Sequence, residues 1–208
     1  MILTRVPIDR YNRKTLKALS SPNLFHGAVE SSFEGERKRN LWRIDNLNGQ
    51  MYLLLLSETK PDLDSFCSQF GDEKCVPESA NYDKLLDRIK AGDRFRFRLT
   101  ANPTKSVKSG GGERGKVCAH ITTDHQKKWL EEKAETNGFF VTENSFDVTE
   151  SRWYRFKKKN VKGVTLLSVT YEGILEVKDA DLFRNALVHG IGREKAYGMG
   201  MLTVMSIK

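Results

Sequence analysis

Residues 41–57, LWRIDNLNGQMYLLLLS, decide how the chain is read. Residues 41–45 and 51–57 have the composition of strands, and Asn46-Leu47-Asn48-Gly49 between them carries the Asn-Gly pair that supplies the backbone of a tight hairpin turn. Upstream, Ile2-Leu3-Thr4-Arg5-Val6-Pro7-Ile8 is short and β-branched, a strand in which Pro7, lacking an N–H, points to an edge position or to the strand's end. A helical stretch separates the two. Ser21 offers a capping hydroxyl ahead of Pro22 at a first helical position, and Phe25, Val29 and Phe33 recur every four residues on one face. Downstream, Leu85, Leu86 and Ile89 fall at helical spacing within residues 82–89 and predict a second helix. Only Lys74-Cys75-Val76, short and poor, offers a closing strand.

The rest of the chain repeats this order. After Ala91-Gly92, the run Arg94-Phe95-Arg96-Phe97-Arg98-Leu99 alternates strictly, placing apolar groups on one strand face and guanidinium groups on the other. Residues 105–116 hold Gly110-Gly111-Gly112 and four basic residues, which predicts a loop too polar to pack. Residues 124–137 read as a helix with Asp124 as cap and Gly138 as terminator. Residues 151–159 and 163–177 read as long strands joined around 160–162, with Lys157, Lys158 and Lys159 at the tip. A short amphipathic helix at 181–189 and a strand at 201–207 complete strand, helix, strand, strand, helix, strand. That is the split βαβ pattern of a ferredoxin-like unit. The expectation is an α+β chain of two tandem ferredoxin-like (RRM-like) βαββαβ domains, residues 1–90 and 91–208.

Composition narrows the function classes. The 208 residues include 38% apolar ones, enough for a folded core. The longest apolar run, residues 51–56, is far shorter than the roughly 20 residues that cross a bilayer, and no N-terminal segment resembles a secretion signal, so a cytoplasmic protein without a membrane partner is expected. The net charge of +8 is uneven: residues 1–90 carry 14 basic and 13 acidic groups, residues 91–208 carry 21 and 14. The second half is therefore the one expected to face a polyanion, because neutralising phosphates needs clustered Lys and Arg.

Cys67, Cys75 and Cys118 form no CxxC pair and have no His placed to complete a zinc site, so neither a disulfide nor a metal centre is expected. Asp62 and Asp64 read as a helix-capping pair. Gly190-Ile191-Gly192-Arg193-Glu194-Lys195 begins like a dinucleotide fingerprint, but Lys195 stands where the third glycine belongs and the segment follows a helix. Four glycines lie between positions 190 and 200 with Arg193 and Lys195 among them, so backbone can come close to a partner while two cations face phosphate. Among the histidines, His120 and His125 read as solvated or capping groups, and His189 as the cation at a helix C-terminus. Periodicity alone makes His26 a surface imidazole paired with Glu30 one turn on.

Several motifs taken together change that reading of His26. Leu3-Thr4-Arg5-Val6, a His in an early helix, the run Arg98-Leu99-Thr100-Ala101-Asn102-Pro103-Thr104-Lys105, Lys128-Trp129-Leu130, Tyr171-Glu172-Gly173 and the glycine block at 190–202 resemble the CasE family, the endoribonucleases of the type I-E Cascade complex that process precursor CRISPR RNA. The resemblance spans nearly the whole chain. It implies binding of a CRISPR repeat stem-loop, a metal-independent and cofactor-free cut at the 3′ base of the stem, retention of the product, and assembly with the Cascade backbone subunits. It also implies that His26 is catalytic. The family often carries Tyr three residues before that His and sometimes Lys five after it, where this chain has Asn23 and Ser31. Stabilisation of the phosphate then falls to Arg37, to Lys157–Lys159 or to the glycine block. The expected RNA contacts are Arg96, Arg98, Lys105, Lys108, Arg114, Lys116, Lys157, Lys158, Lys159, Arg193 and Lys195. The alternative is a catalytically silent RRM-type RNA-binding subunit.

Overall fold

The computed structural model describes residues 1–35, 38–107, 116–158 and 161–207. The chain opens with β1 (Ile2–Ile8), the short helices α1 (Arg13–Ser20) and α2 (Asn23–Glu30), and the hairpin β2 (Leu41–Leu47) and β3 (Gln50–Ser57). Leu47 pairs with Gln50, leaving Asn48-Gly49 as a two-residue turn with φ of 52° and 83°, the twist that a two-residue hairpin requires. Next come α3 (Asp64–Phe70), β4 (Glu78–Asn81) and the single turn α4 (Asp83–Leu86). The strands pair antiparallel in the order β2-β3-β1-β4, the ferredoxin-like arrangement.

Several local expectations are corrected here. The second helix of the unit is α3, residues 82–89 holding only the single turn α4, and the closing strand is β4, not Lys74-Cys75-Val76. β4 is an edge strand with all four residues exposed, so it carries no apolar alternation to read. Pro7 lies in a central strand, yet the pairing of β1 with β4 ends at Arg5, so its missing N–H falls where no partner strand needs it. Pro22, not Ser21, sits at the N-cap of α2, while α1 is a separate helix capped by Asn12, whose side chain accepts from the Lys14 amide. Cys67 and Cys75 are paired as a disulfide, their Cα atoms 5.7 Å apart, because the turn after α3 folds back on the helix that bears Cys67.

The second sheet is built from β5 (Arg94–Ala101), β8 (Phe139–Phe140), β9 (Phe146–Lys158), β10 (Val161–Val177) and β11 (Leu202–Ser206). The order β11-β5-β10, with β9 and β8 on the far side of β10, is again ferredoxin-like. Its helices are α5 (Thr123–Thr136), which starts after Thr122 and so one residue ahead of the expected cap Asp124, and α6 (Ala180–His189), capped by Asp179. Residues 105–116 are not wholly a loop: β6 (Thr104–Val107) and β7 (Lys116–Ala119) pair as a hairpin, and residues 108–115 lie outside the described residues. Phe95, Phe97 and Leu99 are buried while Arg94 and Arg96 are exposed, as the alternation dictated. Among the described residues no helix is long and apolar enough to cross a membrane.

Alternation in β3 also joins the two sheets. Leu53 and Leu55 pack with Val6, Ile8, Phe25 and Phe66 under the first-half helices, whereas Leu54 and Leu56 pack with Leu99, Phe183 and Leu202 of the second half. Beside that seam lies Arg43 of β2, 2% exposed. Its Nε and Nη2 donate to the two Asp45 carboxylate oxygens at 2.8 and 2.6 Å, Nη1 donates to the Arg98 and Met201 carbonyls at 2.9 and 2.8 Å, and Nη2 also donates to Thr203 Oγ1 at 2.7 Å. All five guanidinium donors are thereby used.

Candidate active-site groove

His26 is positioned by its neighbour in sequence. Phe25 is buried against Phe70, Phe66 and Trp42, with ring centroids 4.9, 6.2 and 6.0 Å away, and this fixes the roll of α2. One residue on, the imidazole emerges with a quarter of its side-chain surface accessible, and its Nδ1 lies 3.9 Å from Glu30 Oε1, the pairing that i,i+4 spacing predicts.

Opposite stands the glycine block. Gly190 (φ 71°) ends α6, the Ile191 amide donates to the Gly200 carbonyl at 2.8 Å, and the Gly200 amide donates to Thr100 on β5 at 2.6 Å. The loop is thus closed on itself and tied to the second sheet. It contains the 3-10 turn Lys195–Tyr197, entered through Glu194 and left through Gly198, both in left-handed backbone. A Cβ on Gly198 would lie 2.6 Å from the Trp42 ring, so the absent side chain lets the loop press on the first half of the molecule. Tyr197 completes the contact, its ring edge-on to His26 at 6.4 Å and to Phe156 of β9 at 5.1 Å.

His26, Glu30, Lys38, Arg39, Asn40 and residues 192–196 line an open groove of about 740 Å³. Among the described residues, three of the expected site residues come together there, His26, Arg193 and Lys195. Burial, and secondarily the Arg39 charge, pushes the Lys195 amine below its ordinary pKa. Lys38 is held by Glu58 at 2.5 Å. Lys38 and Arg39 were not singled out from the sequence, although the basic run at 37–39 just after the His-bearing helix was a legible signal; Arg37, which was, lies outside the described residues.

The remaining expected contacts lie elsewhere. Arg96 is exposed on the outer face of β5, and Lys105 and Lys116 are exposed on the β6–β7 hairpin. Arg98 is one-third exposed and paired with Glu172 at 3.1 Å and Asp45 at 3.5 Å, so carboxylates already balance its charge. Lys157 is exposed near the end of β9, which Phe156 anchors to Leu166 and Met199. Lys108, Arg114 and Lys159 lie outside the described residues, as does the side chain of Lys158. The Ser31 hydroxyl donates to the Ala28 carbonyl at 2.9 Å and is committed to its helix.

A family model described as CRISPR associated protein matches residues 1–205. The chain belongs to this family. A CRISPR-associated endoribonuclease Cse3 from Thermus thermophilus is 29% identical over 217 aligned positions, covering 98% of this chain and 99% of that protein. A structure of CRISPR endoribonuclease Cse3 bound to a 19-nucleotide RNA superposes with a TM-score of 0.80 at 26% identity, covering 99% of this chain and all of the other. Thermus thermophilus Cse3 bound to an RNA representing a pre-cleavage complex gives the same TM-score and identity, with 98% of each chain covered. The tandem ferredoxin-like architecture of this CRISPR-associated chain is thus that of the family.

The glycine block of this family member is testable on stability. Gly198→Ala combines a positive φ of 77° with the Trp42 clash, and a loss of about 1–3 kcal/mol is expected by urea denaturation. Gly27→Ala, where a Cβ meets nothing within 4 Å, is the control and should leave stability unchanged or raise it. Equal stability of the two variants would show that the loop does not bear on Trp42.

Proposed function

We propose that the chain is an endoribonuclease that binds the stem-loop of a CRISPR repeat, cuts the precursor RNA at the 3′ base of the stem, and remains on its product as a Cascade subunit in the cytoplasm. The carrying observation is the groove, where an imidazole on a firmly packed helix faces a loop bearing cations. The name of the Thermus relative and the RNA-bound Cse3 structures support the reading. Residues 1–90 contribute His26, and residues 91–208 contribute most of the basic surface.

In this reading the RNA supplies its own nucleophile. The 2′-hydroxyl beside the scissile phosphate attacks phosphorus, a 2′-oxygen–phosphorus bond forms, the phosphorus–5′-oxygen bond breaks, and the products are a 2′,3′-cyclic phosphate and a 5′-hydroxyl. One proton leaves the attacking oxygen and one reaches the leaving oxygen, and His26 moves one of them, a task suited to imidazole near neutral pH. Alignment of the internal nucleophile supplies much of the rest, so no metal is called for. The exposed Arg96, Lys105, Lys116, Lys157 and Arg193 are suited to phosphate tracks on the stem, with Lys108, Arg114, Lys158 and Lys159 extending the same basic segments. Arg98, being balanced by Glu172 and Asp45, fits a positioning role better.

A silent RNA-binding subunit is the second reading, favoured by one observation: neither Asn23 nor the committed Ser31 supplies an acid or a cation. Base stacking of the RRM type on β5 is disfavoured, since Phe95 and Phe97 are 6% and 4% exposed, inside the core. Incubation of the purified protein with its own repeat RNA in EDTA separates the readings. One-site cleavage is expected, blocked by a 2′-deoxy sugar just upstream of the cut while binding persists. No cleavage favours the silent subunit, and a requirement for added magnesium defeats the mechanism given.

A further inference from the structure

Lys195 differs from the other cations of the groove. Lys38 is paired with Glu58, and Arg39 and Arg193 are exposed to solvent. Lys195 is half-buried, and among the described residues it forms no ion pair and no side-chain hydrogen bond. Its stem is also held in place. A Cβ on Gly200 would fall 3.0 Å from Lys195 Cγ and 3.4 Å from Cε, so the chain of methylenes lies across a glycine that a larger residue would displace. The turn that carries it is braced by Tyr197 against His26 and Phe156. A cation that gives up water without gaining a carboxylate, and that faces Arg39, carries an electrostatic cost that an anion in the groove removes.

From this placement, and resting on the cleavage reading above, we infer that Lys195 is a catalytic residue: its ammonium group holds the non-bridging oxygens of the scissile phosphate while His26 moves a proton. In the transition state those oxygens gain charge as the 2′-oxygen–phosphorus bond forms before the 5′-oxygen has left. A fixed cation in a partly desolvated site therefore stabilises the transition state more than the bound substrate. The amine neither gains nor loses a proton, and the proton balance of the cleavage is unchanged. The exposed basic residues act differently, adding affinity for RNA without distinguishing ground state from transition state.

The test pairs Lys195→Met, which keeps the stem against Gly200, with Lys195→Arg, which keeps the charge. Rates are measured in single turnover at saturating protein, and affinity is measured on the uncleavable 2′-deoxy repeat. Lys195→Met should cut about 10²–10³-fold more slowly, with affinity changed by less than about 3-fold, and Lys195→Arg should recover part of the rate. A phosphorothioate in one stereochemical configuration at the cut should slow the unmodified protein and should have little further effect on Lys195→Met; this reading serves even where a variant is partly unfolded, since it includes the unmodified chain. A saturating rate for Lys195→Met within about 3-fold of the unmodified protein, with the unmodified protein active and His26→Ala slowed about 10²-fold or more, overturns this inference alone. An unmodified protein that does not cut overturns the cleavage reading and the inference with it.

Discussion

His26→Ala is expected to slow cleavage of the repeat RNA about 10²–10⁴-fold in single turnover while the protein folds and binds as before. The separation of rate from fold follows from the packing. Phe25 and Val29 carry the buried face of α2 at 1% and 0% exposure, whereas His26 stands on the groove side, so truncation removes little core contact. Alanine also favours the helix more than histidine does, which offsets the loss of the Glu30 pairing. Affinity should hold because the imidazole is one group beside an extended basic surface. The decisive measurement is the single-turnover rate alongside the thermal midpoint and the affinity for 2′-deoxy RNA. A variant that keeps its midpoint and cuts at the unmodified rate removes His26 from the chemistry; one that loses fold, affinity and rate together makes it structural. Tyr197→Phe is a useful companion, since it keeps the ring against His26 and Phe156 and tests packing apart from the hydroxyl.

The sequence disclosed elements whose signal is local. The hairpin at β2–β3 was legible because Asn48-Gly49 is a turn with a physical requirement, and β5 because its arginines and phenylalanines alternate without a break. α3 and β4 were not, for opposite reasons. α3 is a seven-residue helix whose burial rests on Phe66 and Phe70 meeting Phe25 from a distant part of the chain, and β4 lies wholly exposed at a sheet edge. The disulfide escaped because an odd cysteine count says nothing about which two of them a turn brings together. For the site, the resemblance pointed to His26, and glycine spacing pointed to Arg193 and Lys195, but their meeting in one groove is a long-range contact that no local pattern encodes. Arg98 shows the converse: alternation placed it on the polar face of β5, and only the three-dimensional pairing shows that Asp45 and Glu172 share its charge.

Arg43→Met should be the most damaging single change to stability, costing about 3–5 kcal/mol in urea unfolding. The Arg43 and Asp45 side chains are each 3% exposed. Removing the guanidinium leaves a buried carboxylate whose other cationic neighbour, Arg98, is 3.5 Å away and already shared with Glu172, and it strips the Arg98 and Met201 carbonyls of a donor. Unpaired buried charge, not lost attraction, dominates the cost. Arg43→Met combined with Asp45→Leu should therefore recover much of the stability, because replacing both members of a buried pair by apolar groups is often neutral. The effect reaches the groove as well. Met201 follows Gly200 directly, so the bond from Arg43 to its carbonyl ties β2 of the first half to the end of the loop that carries Lys195. The double variant should thus fold well yet cut slowly, since its loop has lost the link that seats it opposite His26. A single variant as stable as the unmodified chain would mean that the apolar seam of Leu41, Leu56 and Leu202 alone holds the halves together. A stable double variant cutting at full rate would mean instead that Trp42 against Gly198 suffices to seat the loop.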